Sequence, residues 1–464
     1  MELGHHKDQN ITLNKFENML KTNDIFFFDS DEFEFIITHY LDMGEVNLAK
    51  KAAKIALSQH PHAIELKLLE VEILIFENKL ERADEILNEL HELAFTNPDI
   101  CIYKANILSK QDAHEEAIFY LKKAEKLLED DDDEVPSLIA MEYMFLEDYE
   151  QAKKYFALCL KDAPDDYASL YNIIYCFDYL DQRAEAIAFL EGYINTFPYS
   201  EIAWHQLGLQ HLGAKNLEKA LDCFDYAIIS DDTFLGAYIE KGKTLEKLER
   251  YKEAIDCYLL ALEMEDSGPF VYHHLGQCYE KNHEDKLALK YYNRALQEDP
   301  ASDKTWSALT DFFIEKEQYQ KALSFIEKAI SIDEGNIEYW KRYVEINHRL
   351  GQKNKAGTCL IKSMELGNYN FETWITRCDL LIGMNNFEAA LEVMEEAKKI
   401  YPNFTEIEYR LGGLHLCLNN KKLGLEHLQN GLELDPEYAV IFKELFPKII
   451  ALKAVQNLFK KSRL

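Results

Sequence analysis

Ala49, Ala83, Ala117, Ala152, Ala186, Ala220, Ala254, Ala288, Ala322, Ala356 and Ala390 recur at intervals of 34 residues, with a single interval of 35 between Ala117 and Ala152. Gly424 continues the phase, so a small residue returns 12 times in register. A fixed internal period of this length marks a repeat array. Each repeat is one supersecondary unit that buries its apolar face against its neighbours.

With the small residue placed at position 20, the repeats run 30–63, 64–97, 98–132, 133–166, 167–200, 201–234, 235–268, 269–302, 303–336, 337–370, 371–404 and 405–438. Other residue types keep the same phase. All four tryptophans (Trp204, Trp306, Trp340, Trp374) fall at position 4, and six of the ten prolines, Pro61 to Pro436, fall at position 32. Gly208, Gly242, Gly276 and Gly412 fall at position 8. Apolar residues at positions 4, 7, 11, 24 and 27 form stripes at helical spacing. Positions 8 and 20 then belong to two helices whose backbones approach closely, and proline at 32 ends the second helix. Ile37, Val71, Ile174 and Val344 are bulky at position 8 and imply different packing in those pairs.

Trp204-His-Gln-Leu207-Gly208 and Tyr272-His-His-Leu275-Gly276-Gln-Cys-Tyr279 resemble the first-helix pattern of the tetratricopeptide repeat (TPR) family. The resemblance extends over 30–438. It implies an all-α fold: a solenoid, or TPR superhelix, of antiparallel helix pairs. Residues 1–29 and 439–464 are expected to cap its two ends, the second with a basic tail of Lys448, Lys453, Lys460, Lys461 and Arg463. Asp29-Ser30 is expected to start the first repeat helix.

Composition limits the partners. The formal net charge is −32, from 83 acidic and 51 basic residues. That opposes nucleic acid and anionic membrane surfaces, both of which require Lys/Arg, and suits a basic or neutral protein partner. No apolar run resembles a secretion signal or a bilayer span. The nine cysteines form no C-x-x-C pair and are expected to be free thiols in a reducing cytoplasm.

No catalytic, metal or cofactor constellation emerges. Gly242-Lys243-Thr244 ends like a phosphate-binding loop, but the spacing from Gly236 is wrong and Gly242 falls in mid-helix. The acidic run Glu129 to Glu134 lacks the alternating ligands of a calcium loop and is expected to be a solvated turn. Neither the histidine pair His205/His211 nor His415/Cys417 shares a helix face. The expectation is no enzyme and no cofactor.

The family resemblance assigns first-helix positions 2, 5, 9, 12 and 13 to the concave face. In repeats 4 to 6 these positions carry Met141, Tyr171, Tyr175, Tyr179, His205 and Leu209. Rigid amphipathic side chains of this kind suit an extended or helical peptide. In repeats 7 to 11 the same face is charged, with Lys243, Glu246, Glu280, Asp311, Lys341, Glu345 and Asp379. A partner with an apolar segment and a basic segment is expected. The clamp by which some TPR proteins hold chaperone tails is missing: the only position-5 lysine is Lys341, and its position 9 is Glu345. The resulting expectation is a protein-binding scaffold or adaptor. The alternatives are a regulatory or assembly factor, and self-association through the basic tail.

Overall fold

The computed structural model describes residues 2–22, 26–128, 134–264 and 268–461. The acidic run at 129–133 and Arg463 lie outside the described residues. Those described form 27 α-helices and one 3₁₀ turn, with no strand among them. The chain divides into two compact units, Met1–Asp232 and Thr233–Leu464.

Within each unit helices pack in antiparallel pairs, one pair per repeat. Repeat 5, for example, is Tyr167–Tyr179 followed by Arg183–Thr196, and repeat 9 is Asp303–Glu315 followed by Tyr319–Ile332. The turn between them places position 15 in the left-handed region in all twelve repeats, from Gly44 (φ 72°) and Asn78 (φ 58°) to Asn419 (φ 64°). Only Gly44 and Gly351 relieve that turn with glycine. Entry to the next repeat is capped at position 34, where Asn97, Asp166, Ser200, Ser302, Asn336 and Asn370 accept from first-turn amides. Asp29 performs this role for the first repeat, with Glu32 Oε2 accepting its backbone N–H at 2.9 Å.

Trp at 4 and Pro at 32 form one device. Trp204, Trp306 and Trp340 donate their indole N–H to the position-32 carbonyls of Pro198, Pro300 and Glu334 at 2.8–2.9 Å. The indole thereby satisfies a carbonyl left over where the preceding helix ends. Trp374 is buried and its indole nitrogen has no acceptor.

The eleven alanines at position 20 are completely buried. Position 8 is matched to position 24 on the partner helix. Phe224, Tyr258 and Tyr292 occupy the space where a side chain on Gly208, Gly242 and Gly276 would lie, within 2.4–2.5 Å of its Cβ. Phe156 faces Ala140 in the same core cluster. The bulky position-8 residues Ile37, Val71, Ile174 and Val344 meet only Ala53, Leu87, Leu190 and Leu360. Glycine at 8 is thus filled by a ring in repeats 6 to 8, whereas bulky residues at 8 face only aliphatic side chains or alanine. In repeat 12 positions 8 and 20 are both glycine, and a Cβ on Gly424 would lie 2.9 Å from the Gly412 carbonyl oxygen.

The ends pack onto their own repeats. Phe16 and Met19 of the first helix are buried with Phe28, Phe33 and Tyr40. After repeat 12, Phe442, Phe446, Val455 and Phe459 join the last core cluster. Phe446 fills the space over Gly413, at position 9, where a Cβ would come within 2.3 Å of its ring. The Gly242-Lys243-Thr244 segment is interior helix: Thr244 Oγ1 donates to the Glu240 carbonyl at 2.6 Å.

Candidate partner-binding face

In the first unit, Tyr171, Tyr175 and Tyr179 follow one another at i, i+4 on the first helix of repeat 5, so they share one helix face. They are 42%, 51% and 57% exposed, and Met141 on the preceding first helix is 39% exposed. They do not sink between neighbouring helices. Tyr149, from the second helix of repeat 4 (Tyr149–Asp162), is buried behind them, its ring 4.1 Å from Tyr179 and 6.2 Å from Tyr175. Tyr175 and Tyr179 therefore stand against an aromatic base. His205 and Leu209 are half-buried, and the His205 ring lies 5.7 Å from Phe224.

Two further exposed aromatics occupy position 13. Phe145 stacks on His114 at 5.0 Å, and Phe76 is 67% exposed. Both lie at a position the template assigns to this face, so the signal was present in the sequence at Phe145 and Phe76 as it was at Tyr179. The acidic groups nearby are engaged: His114 Nδ1 donates to Glu142 at 2.8 Å, and Gln210 Nε2 donates to Asp178 at 2.9 Å.

In the second unit the charged positions are mostly paired within the chain. Arg342 grips Asp311 with two parallel bonds, Nε to Oδ1 at 2.5 Å and Nη2 to Oδ2 at 2.9 Å. Arg410 repeats this with Asp379 at 2.7 Å for both bonds. Position 6 of one repeat thus clamps position 9 of the repeat before it. Lys341 pairs with Glu338 at 2.6 Å. Lys243 pairs with Glu240 at 2.7 Å and lies 4.8 Å from the Phe270 ring centre. Glu345 is exposed and carries no ion pair among the described residues.

Beneath the same face, two groove carboxylates are held from inside. The Tyr258 hydroxyl donates to Glu246 Oε1 at 2.5 Å, and His274 Nδ1 donates to the same oxygen at 2.9 Å. The Tyr292 hydroxyl donates to Glu280 Oε2 at 2.6 Å. Each tyrosine passes over the glycine at position 8 to reach position 12 of the facing helix. Burial raises the Glu280 carboxyl above its usual range and pushes the Tyr292 hydroxyl far up. These carboxylates wall a cavity of about 730 Å³, whose lining also includes Tyr251, Gln277, Ile314 and Glu345.

Among the described residues, no three His, Cys, Asp or Glu side chains are grouped so as to hold a metal ion. No described helix is long and apolar enough to cross a membrane. All nine cysteines are free, eight of them buried, and burial pushes the Cys176 and Cys359 thiols up to about 11.

No curated protein matches the sequence. A family model described as "Domain of unknown function (DUF7017)" matches residues 237–353, a segment that contains every residue lining the cavity. Two family models described as "Tetratricopeptide repeat" match residues 137–166 and 168–200. Similar solved structures include YrrB, described as a TPR protein with an unusual peptide-binding site, at 21% identity over 40% of this chain and 95% of that one, TM-score 0.33. The C-terminal part of a TPR repeat-containing protein from Cytophaga hutchinsonii is 15% identical over 51% of this chain and 98% of that one, TM-score 0.45. A chain of the APC/C hetero-tetramer Cut9-Hcn1 is 12% identical over 89% and 94%, TM-score 0.39. With twelve in-phase helix pairs and direct family matches to two of them, this chain is a tetratricopeptide repeat protein.

Proposed function

We propose that the chain is a non-enzymatic scaffold that holds a partner protein through the first-helix face of its repeats. TPR arrays are protein-interaction modules, and fold alone supports no more than that. The observation that carries the finer reading is the row of exposed Tyr171, Tyr175 and Tyr179, the last two backed by the buried Tyr149. Aromatic side chains fixed by packing lose little entropy on binding and act as anchors for an apolar peptide or helix. The partner's basic segment would meet the acidic face of the second unit. The nine free thiols suit a reducing cytoplasm.

Tagged wild type and the double variant Tyr171→Ala/Tyr175→Ala, incubated with native cytosol and read by mass spectrometry, test this reading. A partner retained by wild type and lost by the variant, with equal thermal melting of the two proteins, supports it. Equal retention of every bound protein refutes the tyrosine site.

A second reading, self-association, is favoured by Lys443, Lys448, Lys453 and Lys460. All four are exposed near the C-terminal end, and among the described residues none pairs with a carboxylate. Sedimentation velocity at low and high salt decides it, since a charge-driven assembly dissociates as salt rises.

A further inference from the structure

Position 12 is glutamate in only two of the twelve repeats, Glu246 and Glu280, and position 24 is tyrosine in the same two, Tyr258 and Tyr292. In repeat 6 the combination is Leu212 with Phe224, and the glycine at position 8 is unchanged. Repeats 7 and 8 therefore depart from an apolar solution that the chain itself uses next door. The departure costs burial of a carboxylate at Glu280. A structural role does not require it, because the apolar pair fills the same space.

The cavity against these carboxylates has the volume of a ligand site. Three cations line it: Arg342 is held by Asp311, Lys341 by Glu338, and Lys281 lies 3.8 Å from Glu315. Among the described residues no lysine or arginine pairs with Glu246, Glu280 or Glu345. The wall also offers the Tyr251 ring and the Gln277 amide. Carboxylates held in place by buried hydroxyls, beside an aromatic ring, match a planar guanidinium, which takes bidentate hydrogen bonds and stacks on rings. An ammonium is a hydrated point charge and gains less from either feature.

The geometry points to the cavity of repeats 7 to 10 as a receptor for an arginine side chain of the bound partner. This rests on the groove reading for the partner's basic segment, but it uses none of the tyrosines of repeat 5. A failure here leaves the Tyr171/Tyr175 test standing, and the converse also holds.

The probes are tetra-arginine, tetra-lysine and tetra-citrulline peptides, titrated calorimetrically into the full chain. Tetra-arginine binds wild type more tightly than tetra-lysine does, and tetra-citrulline does not bind. Glu280→Gln/Glu345→Gln weakens tetra-arginine by about tenfold or more. The exposed pair Glu81→Gln/Glu92→Gln in the first unit, which removes the same charge, leaves it unchanged. The single variant Glu345→Gln, on an exposed side chain, keeps the test valid should Glu280→Gln disturb folding. No binding of tetra-arginine, equal affinity for tetra-lysine, or an equal loss in the control pair overturns the assignment.

Discussion

Removing the Tyr292 hydroxyl tests whether the tyrosine holds the groove carboxylate or merely fills space beneath it. The Tyr292 side chain is completely buried, and its hydroxyl donates to Glu280 Oε2 at 2.6 Å. Tyr292→Phe keeps the ring and deletes only the donor. A hydrogen bond to a charged acceptor contributes about 1.5–3 kcal/mol, so destabilisation of about 2 kcal/mol is expected. Glu280→Leu strands the hydroxyl without an acceptor, a penalty of about 1–3 kcal/mol. Relief of the carboxylate's burial offsets part of it, leaving a net loss of about 1 kcal/mol. The double variant recreates the Phe224/Leu212 arrangement of repeat 6 and should return to within about 0.5 kcal/mol of wild type. The coupling energy is then about 2 kcal/mol or more, within the range seen for direct contacts. Urea unfolding of the full chain, followed by tryptophan fluorescence, measures it. A neutral Tyr292→Phe, or a double variant equal to the sum of the singles, refutes the argument. Acid provides a second check. Burial raises the Glu280 carboxyl, so its contribution to stability is full below the ordinary carboxylate value and is lost as pH rises through the raised one. Wild type should therefore gain on Glu280→Leu as pH falls.

Two further outcomes follow from buried groups in the second unit. Arg410 is 3% exposed, clamps Asp379 at 2.7 Å and donates Nη1 to the Tyr438 hydroxyl at 2.7 Å. Arg410→Ala should therefore cost about 3–5 kcal/mol, because the partner carboxylate is left without its cation; thermal melting checks it, and a loss under about 1 kcal/mol contradicts the clamp. His273, half-buried against Thr305 with Nδ1 3.0 Å from Oγ1, has its imidazole pushed down by desolvation from 6.5 to about 4. The unfolded chain binds that proton first, so stability falls as pH drops from about 6.5 to about 4, by at most about 3 kcal/mol. His273→Gln should flatten the melting profile across that window.

The helix pairs were readable from the sequence because a small residue returns at position 20 in every repeat, with one interval of 35 in place of 34, and because proline and glycine fall at fixed offsets. The ion pairs of the groove were not. Asp311 and Lys341 read as free charges on a binding face, yet Arg342 and Glu338 hold them. The Arg342–Asp311 and Arg410–Asp379 bonds join residues 31 apart. That separation brings two side chains together only once the stacking of one first helix on the next is known. Phe145 and Phe76 were overlooked for a different reason: position 13 placed them on this face, but aromatic residues at the end of a helix are ordinarily core, and their exposure of 58% and 67% settles which they are. The bulky residues at position 8 raised doubts about packing that their partners at position 24 resolve. Compensation of this kind lies between two helices rather than along one.

The match between positions 8 and 24 also explains how a groove can change its chemistry without changing the fold. A glycine at 8 opens a passage from the second helix across the first. When the residue at 24 is phenylalanine, as in repeat 6, the passage is filled and the groove position above it is an ordinary apolar one. When it is tyrosine, as in repeats 7 and 8, the passage carries a hydroxyl to the groove, where a carboxylate can be fixed. The substitution adds one oxygen atom to the core and no volume that the glycine has not already provided. Repeats with isoleucine or valine at 8 have no such passage, so charge on their groove positions is held laterally, as Asp178 is by Gln210, or stands exposed, as Glu345 does. Asp311 shows this for the neighbouring threonine-8 repeat, where the anchor is an arginine from the next helix pair. A carboxylate held from below has one oxygen bound by the hydroxyl, whereas one held laterally by arginine has both oxygens engaged. The face of the second unit thus separates into carboxylates held by a hydroxyl of their own repeat and carboxylates that join one repeat to the next.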